Sequence, residues 1–298
     1  MISLRSRLRE PDILIAPGIF DGLTASLAEE AGFEALYLSG AAVAYTRLGR
    51  PDIGLTTMSE MADTMALIRD RVKVPVIIDA DTGFGNALNA QRTMRTYERA
   101  GANGLQLEDQ SFPKRCGHLT EKSLISTSEM CGKIAAMADA RVSDDTVIIA
   151  RTDAIAVEGF SAAIDRACRY VEAGADVLFV EAPRSAEELT KVAKTLGGKA
   201  PLMANMVEGG MTPVSSAREL KDMGFDLVIF PGGIVRALAR TAESYFASLM
   251  AHGSNAPFSS QMFDFKQLNQ RLGTADMLER GRTYDGFHGS ERPAPEKR

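Results

Sequence analysis

Glu30-Ala-Gly-Phe-Glu-Ala-Leu36, Arg99-Ala-Gly-Ala-Asn-Gly-Leu105, Glu172-Ala-Gly-Ala-Asp-Val-Leu178 and Asp222-Met-Gly-Phe-Asp-Leu-Val228 repeat one local event four times. In each, a stretch with helical periodicity runs into a glycine, and an apolar run starts within a few positions. Gly32, Gly101, Gly174 and Gly224 stand where a helix C-terminus turns into the left-handed region that glycine adopts at least cost. Each stretch is therefore the helix-to-strand half of a βα unit.

Working outward from these joints, short apolar runs at Ile13–Ala16, Ala35–Leu38, Val76–Ile78, Gly104–Leu107, Thr146–Ala150, Val177–Val180, Leu202–Ala204 and Leu227–Phe230 predict eight strands. Gly22–Ala31, Ser59–Arg71, Ala87–Ala100, Ser128–Arg141, Ser161–Ala173 and Ser216–Met223 fit amphipathic crossover helices between them. Eight alternations with almost continuously apolar strands favour the α/β class and a closed (β/α)8, TIM-type barrel; an open doubly wound sheet is the alternative. The expectation is one barrel domain over residues 1–298 with additional C-terminal helices from about residue 253. The polar, proline-containing end at 289–298 is expected to be a mobile tail.

With 298 residues and 45% hydrophobic content, the chain can bury a large core. A formal net charge of −5 supplies no general field for nucleic acid or an anionic membrane, so no nucleic-acid or membrane partner is expected. No segment reaches the ~20 apolar residues of a membrane span, and the first twelve residues lack the apolar stretch of a secretory signal. A cytoplasmic protein is expected. Its three cysteines, Cys116, Cys131 and Cys168, are an odd and sparse set that reads as reduced thiols, with Cys131 and Cys168 as helix core fillers.

In a parallel barrel the functional groups stand just beyond the C-terminal ends of the strands. Here those exits read Ser39-Gly40, Asp79-Ala-Asp81, Glu108-Asp109, Arg151-Thr-Asp153, Glu181, Asn205 and Pro231-Gly-Gly233. Asp79 and Asp81 are two apart, so both carboxylates face one side while the backbone stays extended, and Glu108 leaves the adjacent strand. An all-oxygen set without histidine suits Mg²⁺ or Mn²⁺ rather than Zn²⁺. The alternative is that these acids cap helices or pair with Arg151. Directly after Glu108, Lys114-Arg-Cys-Gly-His118 surrounds a thiol with cations in a loop bounded by Pro113 and Gly117. Such neighbours stabilise a thiolate and bind anionic oxygens, so Cys116 reads as a nucleophile or a proton donor, or as an inert loop thiol. The segment Ser111–Ser123 is expected to be a lid that closes over ligand. Gly83-Phe-Gly85-Asn86 and Gly232-Gly233 read as tight turns or as phosphate cradles.

These residues resemble the isocitrate lyase and phosphoenolpyruvate mutase superfamily. Lys114-Arg-Cys-Gly-His118 is similar to the signature of isocitrate lyase and 2-methylisocitrate lyase. Tyr37-Leu-Ser-Gly40, Pro51-Asp52, Asp79-Ala-Asp81, Leu107-Glu-Asp109 and Ala150-Arg-Thr-Asp153 follow in that family's order. The match runs from about Gly18 to Tyr245.

The resemblance implies a metal site of Asp52, Asp79, Asp81 and Glu108, some acting through water, that takes Mg²⁺ or Mn²⁺. It implies that Ser39, Gly40 and Arg151 hold the carboxylate and carbonyl or alkoxide end of a small carboxylate, with Lys114, Arg115, Gly117 and His118 also lining it. Tyr37 would assist deprotonation and Cys116 would be the general acid. Glu181 and Asn205 would line the far half of the pocket. The implied activity is carbon–carbon cleavage of a 2-hydroxy di- or tricarboxylate, with oxaloacetate hydrolysis, and then phosphonate chemistry, as alternatives. Asn205-Met-Val-Glu208-Gly-Gly-Met-Thr212-Pro213 departs from the segment expected for tricarboxylates and looks more like the 2,3-dimethylmalate lyase and oxaloacetate hydrolase branch. The family also implies a homotetramer in which a C-terminal helix packs on a neighbour.

Overall fold

The computed structural model describes residues 3–117, 121–213 and 215–285. Strands β1 (Leu14–Ile19), β2 (Leu36–Leu38), β3 (Val76–Asp79), β4 (Gly104–Glu108), β5 (Val147–Thr152), β6 (Val177–Val180), β7 (Leu202–Asn205) and β8 (Leu227–Phe230) lie parallel and in sequence order. The sheet closes on itself, with β8 paired to β1 from Leu14↔Leu227 to Pro17↔Phe230. Closure answers the choice between a barrel and an open sheet in favour of the (β/α)8 barrel. Gly18 is required at that seam, because a Cβ there would strike the backbone of Pro231.

The four glycine joints behave as their sequence predicts. Gly32, Gly101, Gly174 and Gly224 have φ of +92°, +96°, +108° and +107°. The next residue in each case returns its N–H to a carbonyl five positions back: Phe33 to Ala28, Ala102 to Tyr97, Ala175 to Tyr170 and Phe225 to Leu220. These bonds satisfy carbonyls that the helix end would otherwise leave open. The helices that end there are α2 (Gly22–Glu30), α5 (Ala87–Arg99), α8 (Phe160–Glu172) and α10 (Ala217–Met223); α4 (Met58–Arg71), α6 (Thr127–Ala140) and α9 (Ala186–Leu196) fill the other crossovers. A short α1 (Leu4–Arg7) precedes the barrel, and two more four-residue helices, α3 (Gly40–Val43) and α7 (Ala154–Val157), follow β2 and β5. Gly83-Phe-Gly85-Asn86 is a tight turn: Gly83 donates to Ala80 O at 2.9 Å, and the Asn86 side chain caps α5.

Strand β5 runs two residues further than its apolar run, because Arg151 keeps Glu108 as ladder partner and Thr152 keeps Val180. Apolarity alone does not end a strand whose neighbours still offer hydrogen bonds.

Alternation along the strands divides the core in two. Leu14, Ala16, Tyr37, Ile77, Val147, Ile149, Val177, Phe179, Met203, Leu227 and Ile229 form an inner cluster, joined by Leu4 and Leu8 from the N-terminal segment. Leu36, Leu38, Ile78, Leu105, Leu107, Ile148, Ala150 and Leu178 belong to the outer cluster with the helices. The chain divides into two compact units, one through Ala237 and the other from Leu238 onward. The second holds most of α11 (Gly233–His252), a 3-10 turn at Ala256–Gln261, α12 (Phe265–Arg271) and α13 (Thr274–Arg282). Among the described residues no helix is long and apolar enough to cross a membrane. His252 is exposed, while His288 and the tail at 289–298 lie outside the described residues.

Candidate active site

Strand parity places the site. Residues two positions beyond an inner-cluster member share its face, and at the strand ends those residues are polar: Asp79 after Ile77, Arg151 after Ile149, Glu181 after Phe179 and Asn205 after Met203. On β4 the inward series is Gly104, Gln106, Glu108, and on β2 the inner residue is Tyr37 itself. Tyr37, Ser39, Asp52, Asp79, Lys114, Cys116, Gly117, Arg151, Glu181 and Asn205 border one cavity. Gly40 packs against Asp79, whose Oδ2 would lie 3.0 Å from a Cβ at position 40.

The acids do not meet as an extended Asp-Ala-Asp pair would present them. Asp81 has φ of +45°, and its N–H donates back to Asp79 Oδ1 at 3.1 Å. What brings the acids together is Lys114, whose Nζ lies 2.6 Å from Asp52 Oδ1 and 2.8 Å from Asp81 Oδ1. Burial opposes the lysine charge, but Asp81 and Asp52 outweigh it and hold the ammonium protonated. Burial pushes Asp81 up to about 7, against the pull of Lys114. Burial likewise pushes Glu108 well above the carboxylate range, with Arg151 opposing.

The donor set is compatible with a hard divalent cation. Glu108 Oε1 is buried without a hydrogen-bond partner, and Asp81 Oδ1 has the Lys114 ion pair but no aligned hydrogen bond. Among the described residues, no three His, Cys, Asp or Glu side chains converge as direct ligands. A hard cation that keeps several waters needs only one or two carboxylates in direct contact, and the Glu108 and Asp81 oxygens without hydrogen bonds are the atoms that would fit one.

Arg151 is the electrostatic centre. Its guanidinium makes two bonds to Asp153, Nε to Oδ2 at 2.8 Å and an Nη to Oδ1 at 3.1 Å, and lies 3.5 Å from Glu108 and 3.8 Å from Glu181. Burial alone would raise the Asp153 pKa, but Arg151 and Lys122 prevail and hold it at about 2. Asp153 is itself fixed from behind: Asp109 accepts its N–H at 2.9 Å, Thr152 Oγ1 at 2.7 Å and the Tyr170 hydroxyl at 2.8 Å. Arg166 adds a contact to Asp109 at 3.4 Å and a close pair with Glu158 at 2.7 Å.

Asn205 donates to both Glu181 oxygens, at 3.3 and 3.2 Å, which leaves its own buried Oδ1 without a partner. Tyr37 donates to Gln106 Oε1 at 2.9 Å, and Gln106 donates on to Asp79 at 3.4 Å. Burial, together with Asp79, raises the phenol well above its ordinary value, so Tyr37 is a neutral group.

The loop after β4 lies on this assembly. Gly117 packs so closely on Arg151 and Glu181 that a Cβ would collide with both. The Cys116 N–H donates to Asp52 O at 3.3 Å, and the thiol is part-buried at the cavity wall. Arg115 stands apart from the cavity: it pairs with Glu121 at 2.7 Å, and Gln110 clasps its backbone at both N–H and carbonyl. His118 lies outside the described residues.

Some cavity residues were not singled out from the sequence. Tyr45 and Arg236 also border the cavity, with Arg236 paired to Glu208 at 2.6 Å. Gln106, which is not in the cavity wall but bonds Tyr37, could have been found as a polar residue between Gly104 and Glu108 in the inward series of β4. Arg236 carries no such signal, because it stands on a helix after a glycine pair.

The family description of phosphoenolpyruvate phosphomutase matches residues 4–250. A 2-methylisocitrate lyase from Aeropyrum pernix is 46% identical over 277 residues, 93% of this chain and 88% of the relative. A 2,3-dimethylmalate lyase from Eubacterium barkeri is 40% identical over 93% of this chain and 95% of the relative. A solved structure of 2,3-dimethylmalate lyase superposes with a TM-score of 0.89 at 35% identity, covering 97% of each chain. Oxaloacetate acetylhydrolase bound to 3,3-difluorooxalacetate gives 0.88 at 33% identity, covering 96% of this chain and 97% of its own. Phosphonopyruvate hydrolase bound to oxalate and Mg²⁺ gives 0.85 at 31% identity, covering 94% of this chain and 97% of its own. Matching in sequence along most of its length and in barrel geometry throughout the site-bearing unit, the chain belongs to the phosphoenolpyruvate mutase/isocitrate lyase superfamily.

Proposed function

We propose that this protein is a Mg²⁺-dependent carbon–carbon lyase that splits a 2-hydroxy dicarboxylate of the 2,3-dimethylmalate type, or the related 2-methylisocitrate, into an oxo acid and a carboxylate. The observation that carries this reading is that Arg151 and Cys116 border the same cavity as Asp52 and Asp79. Cleavage needs a fixed cation for the ionising end of the substrate and a proton source for the carbon that leaves.

Asp52, Asp79, Asp81 and Glu108 would hold Mg²⁺, largely through water, and the ion would supply the charge that favours ionised substrate oxygens. Mn²⁺ would serve the same donors. Ser39, Gly40 and Arg151 bind the 2-oxygen and its carboxylate, with Lys114 and Gly117 on the wall of the same cavity. Arg115, turned toward Glu121, supports the loop in this scheme rather than the substrate. Tyr37, which remains protonated, orients the substrate hydroxyl, whose proton passes to water in the cavity as the oxygen ionises. The C2–C3 bond then breaks, the oxygen's electrons form the carbonyl of the oxo acid, and the bonding pair stays on C3. The Cys116 thiol delivers a proton to that carbon. Glu181 and Asn205 shape the cavity around the departing carboxylate.

A dicarboxylate is favoured over isocitrate because the additional cation at the cavity, Arg236, already has its charge offset by Glu208. Water attack on oxaloacetate is the competing reading, supported by the likeness to oxaloacetate acetylhydrolase; Cys116 with its basic flank argues against phosphoryl transfer. The second unit exposes Phe246, Met250, Phe265, Met277 and Leu278, and that apolar surface supports assembly into a homotetramer. The cysteines, none of them in a disulfide among the described residues, suit the cytoplasm.

The test is product identification by NMR after incubation with Mg²⁺ and, separately, 2,3-dimethylmalate, 2-methylisocitrate, isocitrate, oxaloacetate and phosphonopyruvate. Pyruvate with propionate or succinate, lost under EDTA and restored by Mg²⁺, is the expected result. Oxalate and acetate from oxaloacetate, with the other acids untouched, would replace the lyase assignment.

A further inference from the structure

Lys122 is a buried cation that the chemistry above does not use. Its side chain is 1% exposed, and its Nζ touches two acceptors at once: the carbonyl oxygen of Gly117 at 2.5 Å and Asp153 Oδ1 at 2.8 Å. Asp153 is the same carboxylate that grips Arg151 with both oxygens, and its own side chain is fully buried. Gly117 is the residue after Cys116, and it lies directly against Arg151 and Glu181. One ammonium therefore joins the backbone beside the thiol to the carboxylate that aims the guanidinium.

We infer that Lys122 is a positioning residue that sets Cys116 against Arg151 by clamping the Gly117 carbonyl to Asp153. The inference rests on the proposed roles of Cys116 and Arg151. Without the ammonium, two oxygens, one of them ionised, would face each other in a dry site, and the carbonyl would have to turn away. The thiol next to it would move as well, although Arg151 would keep its bidentate bond to Asp153. Loss of Lys122 should thus leave substrate capture by Arg151 largely intact and impair proton delivery, a loss in kcat rather than in KM.

The experiment uses the full chain with Lys122→Met, Lys122→Gln and Lys122→Arg, and follows alkylation of Cys116, Cys131 and Cys168 by iodoacetamide with peptide mass spectrometry. Cys131 and Cys168 are also part-buried, so they report general loosening of the same molecule. Lys122→Met is expected to accelerate labelling of Cys116 by about tenfold or more while the other two stay within about twofold, and to lower kcat by roughly a hundredfold. Lys122→Arg should recover part of both. Lys122→Gln keeps a donor for the carbonyl and serves if the methionine variant does not fold. Unchanged Cys116 labelling in a folded variant, or equal acceleration of all three thiols, overturns the clamp. The labelling needs no substrate, so it judges the clamp even if the protein proves not to be a lyase.

Discussion

Glu108 and Arg151 are ladder partners on β4 and β5, and the guanidinium Nε lies 3.5 Å from Glu108 Oε2. Their pairing puts an acid with an unpartnered oxygen next to a buried guanidinium. Because the guanidinium also forks onto Asp153, its position is fixed before any substrate arrives. Lysine cannot reproduce that planar fork. Arg151→Lys is expected to lower kcat/KM by roughly 10²- to 10³-fold, as measured by steady-state kinetics. Activity within threefold of the parent would remove Arg151 from the substrate site.

Cys116→Ser should lower carbon–carbon cleavage by about 10²- to 10⁴-fold, because a hydroxyl of similar size is a far weaker acid near neutral pH. Cys131, whose thiol donates to the Arg169 carbonyl at 3.6 Å away from the cavity, is the internal comparison. Similar losses in Cys116→Ser and Cys131→Ser would show that the loop thiol has no special role.

Gly117→Ala tests the close approach of the loop. A Cβ cannot be accommodated without displacing Arg151 or Glu181, so turnover should drop at least about tenfold. The melting temperature should change little, since the loop can lift away from a barrel whose core is untouched. A crystal structure of the variant with the loop in the same place and full activity would contradict the packing argument.

Asp153 gives a pH prediction. Its folded pKa is about 2, below the ordinary 3.8, so its ion pairs stabilise the fold above pH 3.8, and that contribution disappears as pH falls toward 2. A shift of this size corresponds to on the order of 2 kcal/mol. Urea unfolding of the parent and of Asp153→Asn should differ by about that amount or more at pH 6, and the gap should narrow between pH 4 and pH 2. A gap that is constant with pH would mean that the pairs with Arg151 and Lys122 do not govern this carboxylate.

The sequence by itself determined the barrel and the addresses of its functional groups. Glycine after each of four helices and eight apolar runs are local signals, and the period of two along a strand carries Tyr37, Asp79, Glu108, Arg151, Glu181 and Asn205 to the inside because apolar residues of the same parity form the core. The tertiary structure alone decided how those groups pair. Asp81 leaves the extended conformation, Lys114 reaches between Asp52 and Asp81, and Lys122 links a loop carbonyl to Asp153 across 31 positions of chain. Arg236 reaches the cavity from a helix that follows the last strand. Local backbone preferences and periodicity are written in neighbouring residues, whereas the partner of a buried charge is chosen by which segments closure of the barrel brings within a few ångströms, where desolvation makes each charge depend on the others.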